Sequence, residues 1–179
     1  MIRYTIPQIE YMLSTMVLIV DTREQNTEAF TRRTEGFNRP FVRRKLDVGD
    51  YSAYSIDADG NEVSLENIAT IERKMNLTEL CGCFTQDRKR FQREFERSKA
   101  ANMRVHLIVE NDNYEHLRHG NYRSQLNPKS LIASFLSWSI RYGIQTHFCE
   151  AETTGWLVGE IMYYELREHL LSNYLEVAV

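Results

Sequence analysis

Three short apolar runs, each ending in paired acid and base, constrain this chain more than any other feature. Val17-Leu18-Ile19-Val20 leads into Asp21-Thr22-Arg23-Glu24, Leu46-Asp47-Val48 into Gly49-Asp50-Tyr51, and Ile68-Ala69-Thr70-Ile71 into Glu72-Arg73-Lys74. Ending a buried strand in charge costs free energy unless a metal ion, a phosphate or an opposite charge meets it there. One such end is explained by an ion pair that only stabilises the strand. Three in succession have the pattern of a metal-dependent phosphodiesterase site.

The bulk numbers fit one globular domain, residues 1–179, long enough to bury a core without disulfides. With 42% hydrophobic and 26% charged residues, disordered and collagen-like classes are excluded. No apolar run is long enough to cross a bilayer and Met1-Ile2-Arg3-Tyr4 does not begin a signal peptide, so a cytoplasmic protein is expected. The three cysteines, Cys81, Cys83 and Cys149, are too few for a disulfide framework, and Cys81-Gly82-Cys83 lacks a second ligand pair at zinc spacing.

The net charge of −3 hides a segregation of charge along the chain. Thr31–Lys45 carries six basic residues against Glu35, and Gln86–Arg104 is also basic, whereas acids collect in Asp57–Glu66 and near the C-terminus. Arg88, Lys89 and Arg93 are candidate DNA contacts, with a solvated helix face as the alternative.

Helices and strands alternate, which predicts an α/β fold. A helical lead-in over 5–16 starts at Thr5-Ile6-Pro7-Gln8. The motif-bearing core covers 17–110. Within it, helix is expected over Asn26–Phe37, strands over Val17–Asp21, Val42–Val48, Tyr51–Ile56, Ile68–Arg73 and Val105–Glu110, and one long helix from about Leu77 to Ala101. The C-terminal part, 127–174, reads as a helix from Asn127-Pro128, a strand Ile144–Cys149 and a helix Glu152–Tyr174, whose stripe Leu157, Ile161, Tyr164 and Leu171 is expected in the core or a subunit interface.

Phosphodiester cleavage needs a hard divalent cation, and Mg²⁺ is satisfied by one or two carboxylates plus waters. Asp50 and Glu72 are the best pair, brought together by strands that run through the Asp-Gly hairpin at Asp57–Glu62. Lys74 lies two residues beyond Glu72 and so points the same way on a strand, while Arg73 points to the other face. Asp21 is a further candidate ligand, Arg23 a phosphate clamp, and Glu24 a partner for the metal or for Arg23.

Asp-x-Arg-Glu, Gly-Asp-Tyr and Glu-Arg-Lys, in that order, resemble the nuclease domain of XPF-type structure-specific endonucleases, a branch of the restriction-endonuclease-like fold. The resemblance runs from about Val17 to Glu110. It implies a central mixed β-sheet flanked by helices and Mg²⁺ or Mn²⁺ held by Asp50 and Glu72 with Asp21 nearby. It also implies essential roles for Arg23, Arg73 and Lys74. The acid that the family places shortly after Glu-Arg-Lys is matched here only by Glu79, one residue late. No tandem helix-hairpin-helix module follows, so the chain resembles the compact stand-alone form of bacteria and their phages. Homodimerisation through the C-terminal helices is expected by the same analogy.

His106 and His147 sit in apolar strand patterns and read as satisfied core histidines. His116, His119 and Gly120–Ser124 read as a polar loop, in which Tyr122 and Arg123 are candidates for stacking on a base or holding a phosphate. Glu110 ends a buried strand and is a weaker site candidate. The expected activity is therefore metal-dependent cleavage of DNA, on branched, flapped or fork substrates in repair, recombination or phage DNA processing. The alternative is a catalytically silent DNA-binding or scaffold subunit, against which Asp50, Glu72 and Lys74 are all present. No residue pattern separates DNA from RNA.

Overall fold

The computed structural model describes residues 4–173. Helix α1 (Ile6–Ser14) opens with Gln8 Oε1 accepting from the Thr5 N–H at 2.8 Å and buries Ile9, Met12 and Leu13. It leads to β1 (Val17–Val20), then α2 (Glu28–Glu35), β2 (Phe41–Arg43), β3 (Tyr51–Ile56), β4 (Glu62–Ser64) and β5 (Ala69–Lys74). Helices α3 (Leu77–Phe84) and α4 (Arg88–Ala100), strand β6 (Arg104–Glu110), helices α5 (Tyr114–His119) and α6 (Pro128–Tyr142), strand β7 (Ile144–Cys149) and helix α7 (Ala151–Leu171) complete the chain.

The strands form one mixed sheet in the order β2-β1-β3-β5-β6-β7, with β4 paired to β3 off the main path. β1 and β2 are parallel, as are β5, β6 and β7, while β3 runs antiparallel to both neighbours. Every residue of β5 and β6 except Arg73 and Arg104 is buried, as the continuous apolar runs require when both sheet faces are covered. One face packs under α1, α2 and α7 through Met12, Leu18, Ile71, Ile108, Val158 and Met162. The other packs under α3, α4 and α6 through Leu77, Phe91, Phe95, Val105, Val109 and Trp138. This is the α/β arrangement expected, a central mixed sheet flanked by helices.

Several boundaries differ from the sequence reading. The strand expected over Val42–Val48 stops at Arg43: the Arg44 N–H still donates to Val20 O, but the Leu46 N–H turns to the Asp21 carboxylate instead of continuing the ladder. The expected single helix over Leu77–Ala101 breaks at Thr85, whose ψ of −96° is not helical and whose hydroxyl donates to Cys81 O. His116 and His119 lie on α5 rather than in a loop; Gly120, at φ 74°, ends that helix. The core stripe of α7 is Val158, Met162, Leu166 and Leu170, beside the expected one, and Tyr164 is exposed. Tyr174, expected at the helix end, lies outside the described residues.

The Asp-Gly hairpin is present, with the Asp57 carboxylate accepting from the Asp59 and Asn61 N–H groups. Its return strand is the short β4. β5 is instead set beside β3 at Tyr51 and Ile71, and this pairing fixes the position of Asp50.

Candidate active site

The three charged motifs meet at one end of the sheet. The Asp50 N–H donates to Ile71 O at 2.7 Å and the Asp21 N–H to Asp50 O at 2.8 Å, so the three strand ends are stitched through backbone bonds at Asp50. Gly49 makes this crossing possible. Its φ is +77°, and a Cβ there would lie 2.1 Å from Thr70 Oγ1 and 2.9 Å from Ile71 O.

Asp50 and Glu72 come together as expected. Asp50 Oδ2 accepts from the Arg73 N–H at 2.8 Å. Burial and the neighbouring Glu72 carboxylate push the Asp50 carboxyl well above the usual carboxylate range, against the opposing pull of Lys74. Lys74 leaves the same face as Glu72, and its Nζ lies 2.5 Å from Glu72 Oε1 and 5.4 Å from the centre of the Phe91 ring. Burial disfavours the ammonium, yet Glu72 outweighs that cost and holds Lys74 above the usual lysine range.

Arg73 points to the opposite face, where Nη1 donates to Glu110 Oε2 at 2.7 Å and Nε is buried without a hydrogen-bond partner among the described residues. Glu110 is thereby part of the constellation. Glu24 is bonded to neither Asp50 nor Arg23. Its Oε2 accepts from Tyr51 Oη at 3.0 Å and Arg33 Nη2 at 3.3 Å, while Arg33 Nε also donates to Tyr51 Oη. Tyr51, the third residue of Gly-Asp-Tyr, therefore orders Glu24 and Arg33 beneath the Arg73 face. Close approach of α2 and α7 seats Arg33 there, since a Cβ on Gly155 would lie 2.1 Å from Arg33 O.

Asp21, expected as a further metal ligand, is engaged by its neighbours. It is 0% exposed, and three donors converge on it: the Arg23 N–H and Nε on Oδ1, and the Leu46 N–H on Oδ2. Burial pushes its carboxyl up, but these hydrogen bonds outweigh burial and leave it below the usual range. Arg23 also reaches Leu46 O and Gly49 O, so this pair pins the loop that delivers Asp50.

Sequence reasoning missed which other residues of α4 face the site. Arg90, Glu94 and Arg97 recur at i, i+4 and i+7. Burial and the Glu72 charge push the Glu94 carboxyl up, with Arg90 and Lys74 opposing, and Arg97 Nη2 donates to Asp47 O. The spacing was visible, but which helix face meets the site is a tertiary fact. Of the expected DNA contacts, Lys89 and Arg93 are exposed on α4, whereas the Arg88 guanidinium lies over the Trp138 ring and bonds to Phe84 O and Ser134 Oγ. Tyr122 donates its hydroxyl to Leu126 O and packs on the core, which turns it away from base stacking; Arg123 is exposed beside Thr78. Glu79 accepts from the Met75 N–H and stands 3.7 Å from Lys74.

Among the described residues, no group of three or more His, Cys, Asp or Glu side chains is arranged to hold a metal ion. Cys81 and Cys83 are buried in α3, and burial pushes the Cys83 thiol up to about 11. His106 and His147 are satisfied within the fold, at 3.0 Å from each other, with His106 also 2.7 Å from Glu165.

The chain matches the family model of the ERCC4 domain over residues 20–159, a span that contains all three motifs. It belongs to the ERCC4 domain family. Two solved structures, both of XPF from Aeropyrum pernix, share the ERCC4-domain fold seen here. One has a TM-score of 0.60 and 19% identity, covering 84% of this chain and 65% of that one. The other, in complex with DNA, has a TM-score of 0.55 and 19% identity, covering 90% of this chain and 68% of that one. This chain thus spans about two thirds of the length of those proteins. No curated protein sequence matches it significantly. Among the described residues, no helix is long and apolar enough to cross a membrane.

Proposed function

We propose that this ERCC4-domain protein is a metal-dependent DNA endonuclease that hydrolyses phosphodiester bonds, with branched, flapped or fork DNA as its substrate. The observation that carries this reading is the convergence of Asp50, Glu72 and Lys74 at one sheet end, with family membership behind it. The XPF structure solved with DNA supports the substrate class.

The residues present fit a hard cation. Burial and the neighbouring Glu72 carboxylate push the Asp50 carboxyl up, and a divalent ion there would offset both costs. Two carboxylates match the needs of Mg²⁺ or Mn²⁺. Held by Asp50 and Glu72, such an ion would supply polarisation of the scissile phosphate and a more acidic water. Lys74 contributes an ammonium for charge that develops on the phosphate, held in place by Glu72. Asp21 and Arg23 act as positioning residues for Asp50, and Arg90 and Arg93 draw the DNA backbone to the same edge. Self-association through the C-terminal helices belongs to the proposal. The exposed Leu136, Ile140, Trp156 and Tyr164 on α6 and α7 support it, and sedimentation velocity tests it.

The deciding experiment is cleavage of end-labelled flap, fork, single-stranded and linear duplex DNA with Mg²⁺, with Mn²⁺ and with EDTA, using wild type and Glu72→Gln. Cutting by wild type with a metal, lost in EDTA and in the variant, is the expected result. DNA binding with no cutting under any condition would overturn the enzymatic reading in favour of a silent DNA-binding subunit.

A further inference from the structure

Two clefts open at the active-site end of the sheet, one on each face, and Met75 is the one residue that lines both. The first, of about 310 Å³, lies on the catalytic face and sets Lys74 and Arg90 against Glu79 and Asp87. The second, of about 540 Å³, lies on the Arg73 face and gathers Arg23, Arg32, Arg33 and Arg73. Asp21, Glu24 and Glu110 offset three of these four charges, through Arg23, Arg33 and Arg73. The exposed Arg32 makes no ion pair among the described residues, and Arg73 keeps its buried Nε without a partner. The cleft thus retains unmatched positive charge and an unmet donor, as a phosphate-binding wall requires.

Met75 itself is unusual. Its side chain is 53% exposed, although it directly follows a strand whose residues are nearly all buried. Its backbone is held from both sides. The N–H donates to Glu79 Oε2 at 2.7 Å, and the carbonyl accepts from Asn111 Nδ2 at 3.3 Å. Asn111 sits in the left-handed region at φ 57°, and its Oδ1 accepts from the Ala151 N–H at the start of α7. A large apolar side chain on a fixed backbone, between the Lys74 cleft and the arginine cleft, has the form of a wedge between nucleic-acid strands.

We propose that Met75 is a strand-separating wedge at a DNA branch point: the strand to be cut lies in the Lys74 cleft, and the backbone of a second, unpaired strand lies in the arginine cleft. Branch recognition is then built into this domain. The inference rests on the endonuclease reading and deepens it.

The test needs no cleavage. In EDTA, fluorescence anisotropy compares a duplex bearing a single-stranded arm with a linear duplex of equal length, and 2-aminopurine beside the branch reports unstacking. Arg32→Glu should weaken binding of the branched DNA by about tenfold or more, while linear duplex binding changes by less than about twofold. Wild type should raise the 2-aminopurine signal, Met75→Ala should abolish the rise, and Met75→Leu should restore it. Equal weakening on both DNAs by Arg32→Glu, or an undiminished rise with Met75→Ala, would overturn the inference and leave the endonuclease reading standing. A wild-type chain that binds neither DNA would remove that reading, and the inference with it.

Discussion

The Lys74 ammonium lies 2.5 Å from the Glu72 carboxylate because the two side chains leave the same face of one strand, two residues apart. Behind that pair stands Asp50, whose carboxyl is pushed up by burial and by Glu72. Lys74 is therefore the fixed cation that lets two carboxylates share the site. Lys74→Met should cut the cleavage rate by at least about 10²-fold and destabilise the metal-free fold by about 3–5 kcal/mol. Added Mg²⁺ should raise the melting temperature of the variant by more than that of wild type, which thermal melts with and without the ion check.

Gly49→Ala should destabilise the protein by roughly 1–3 kcal/mol. Alanine is strained at φ +77°, and its Cβ would drive into Thr70, whose hydroxyl donates to Val48 O and Tyr51 O. Urea unfolding measures the loss. Residual cleavage should fall further than stability alone explains, because Asp50 is the next residue.

Glu165 links pH to stability at the far end of the sheet. Burial pushes its carboxyl up, but hydrogen bonds from His106 and Arg104 outweigh burial and hold it below the usual range. A lowered carboxyl pKa contributes stability above the unfolded value of about 4.3 and loses it as pH falls through the folded value. Glu165→Gln should therefore cost about 1–3 kcal/mol at pH 7, and that cost should shrink as pH falls through the folded value. Melting curves across that window show whether the acid limb flattens.

On α4, Arg90 and Arg93 should govern DNA affinity, and Arg88 should govern stability. Replacing Arg90 and Arg93 with alanine should reduce the slope of log affinity against log salt by about 1.8, if each meets one phosphate. Arg88→Ala, which removes the guanidinium over Trp138, should leave that slope unchanged and lower the melting temperature. Salt titrations of binding separate the two.

Much of the site was legible because it depends on local rules. Apolar runs marked β1, β5 and β6, and strand parity put Glu72 and Lys74 on one face with Arg73 on the other. The course of Arg44–Gly49 was not legible, since the Leu46 N–H is satisfied by Asp21, 25 residues away in sequence. Nor was the break at Thr85, where a side-chain hydroxyl competes with the helix for Cys81 O. Glu24 reads locally as a partner for Arg23. Only the packing of α2 against α7 delivers Arg33 to it, and the pairing of β3 with β1 delivers Tyr51. Likewise, the face of α7 that enters the core is set by Gly155 and Gly159, which admit the end of α2, more than by its apolar stripe.

The clasp at Asp21 changes how loss-of-function variants of this domain should be sorted. Three donors, two from Arg23 and one from Leu46, share one carboxylate, and the Asp21 N–H holds Asp50 O. Removing that carboxylate frees the 44–49 loop and lets the neighbouring acid drift. An inactive Asp21 variant would then be a case of lost alignment, repairable in principle by any change that re-anchors the loop, whereas a Glu72 variant should resist such repair.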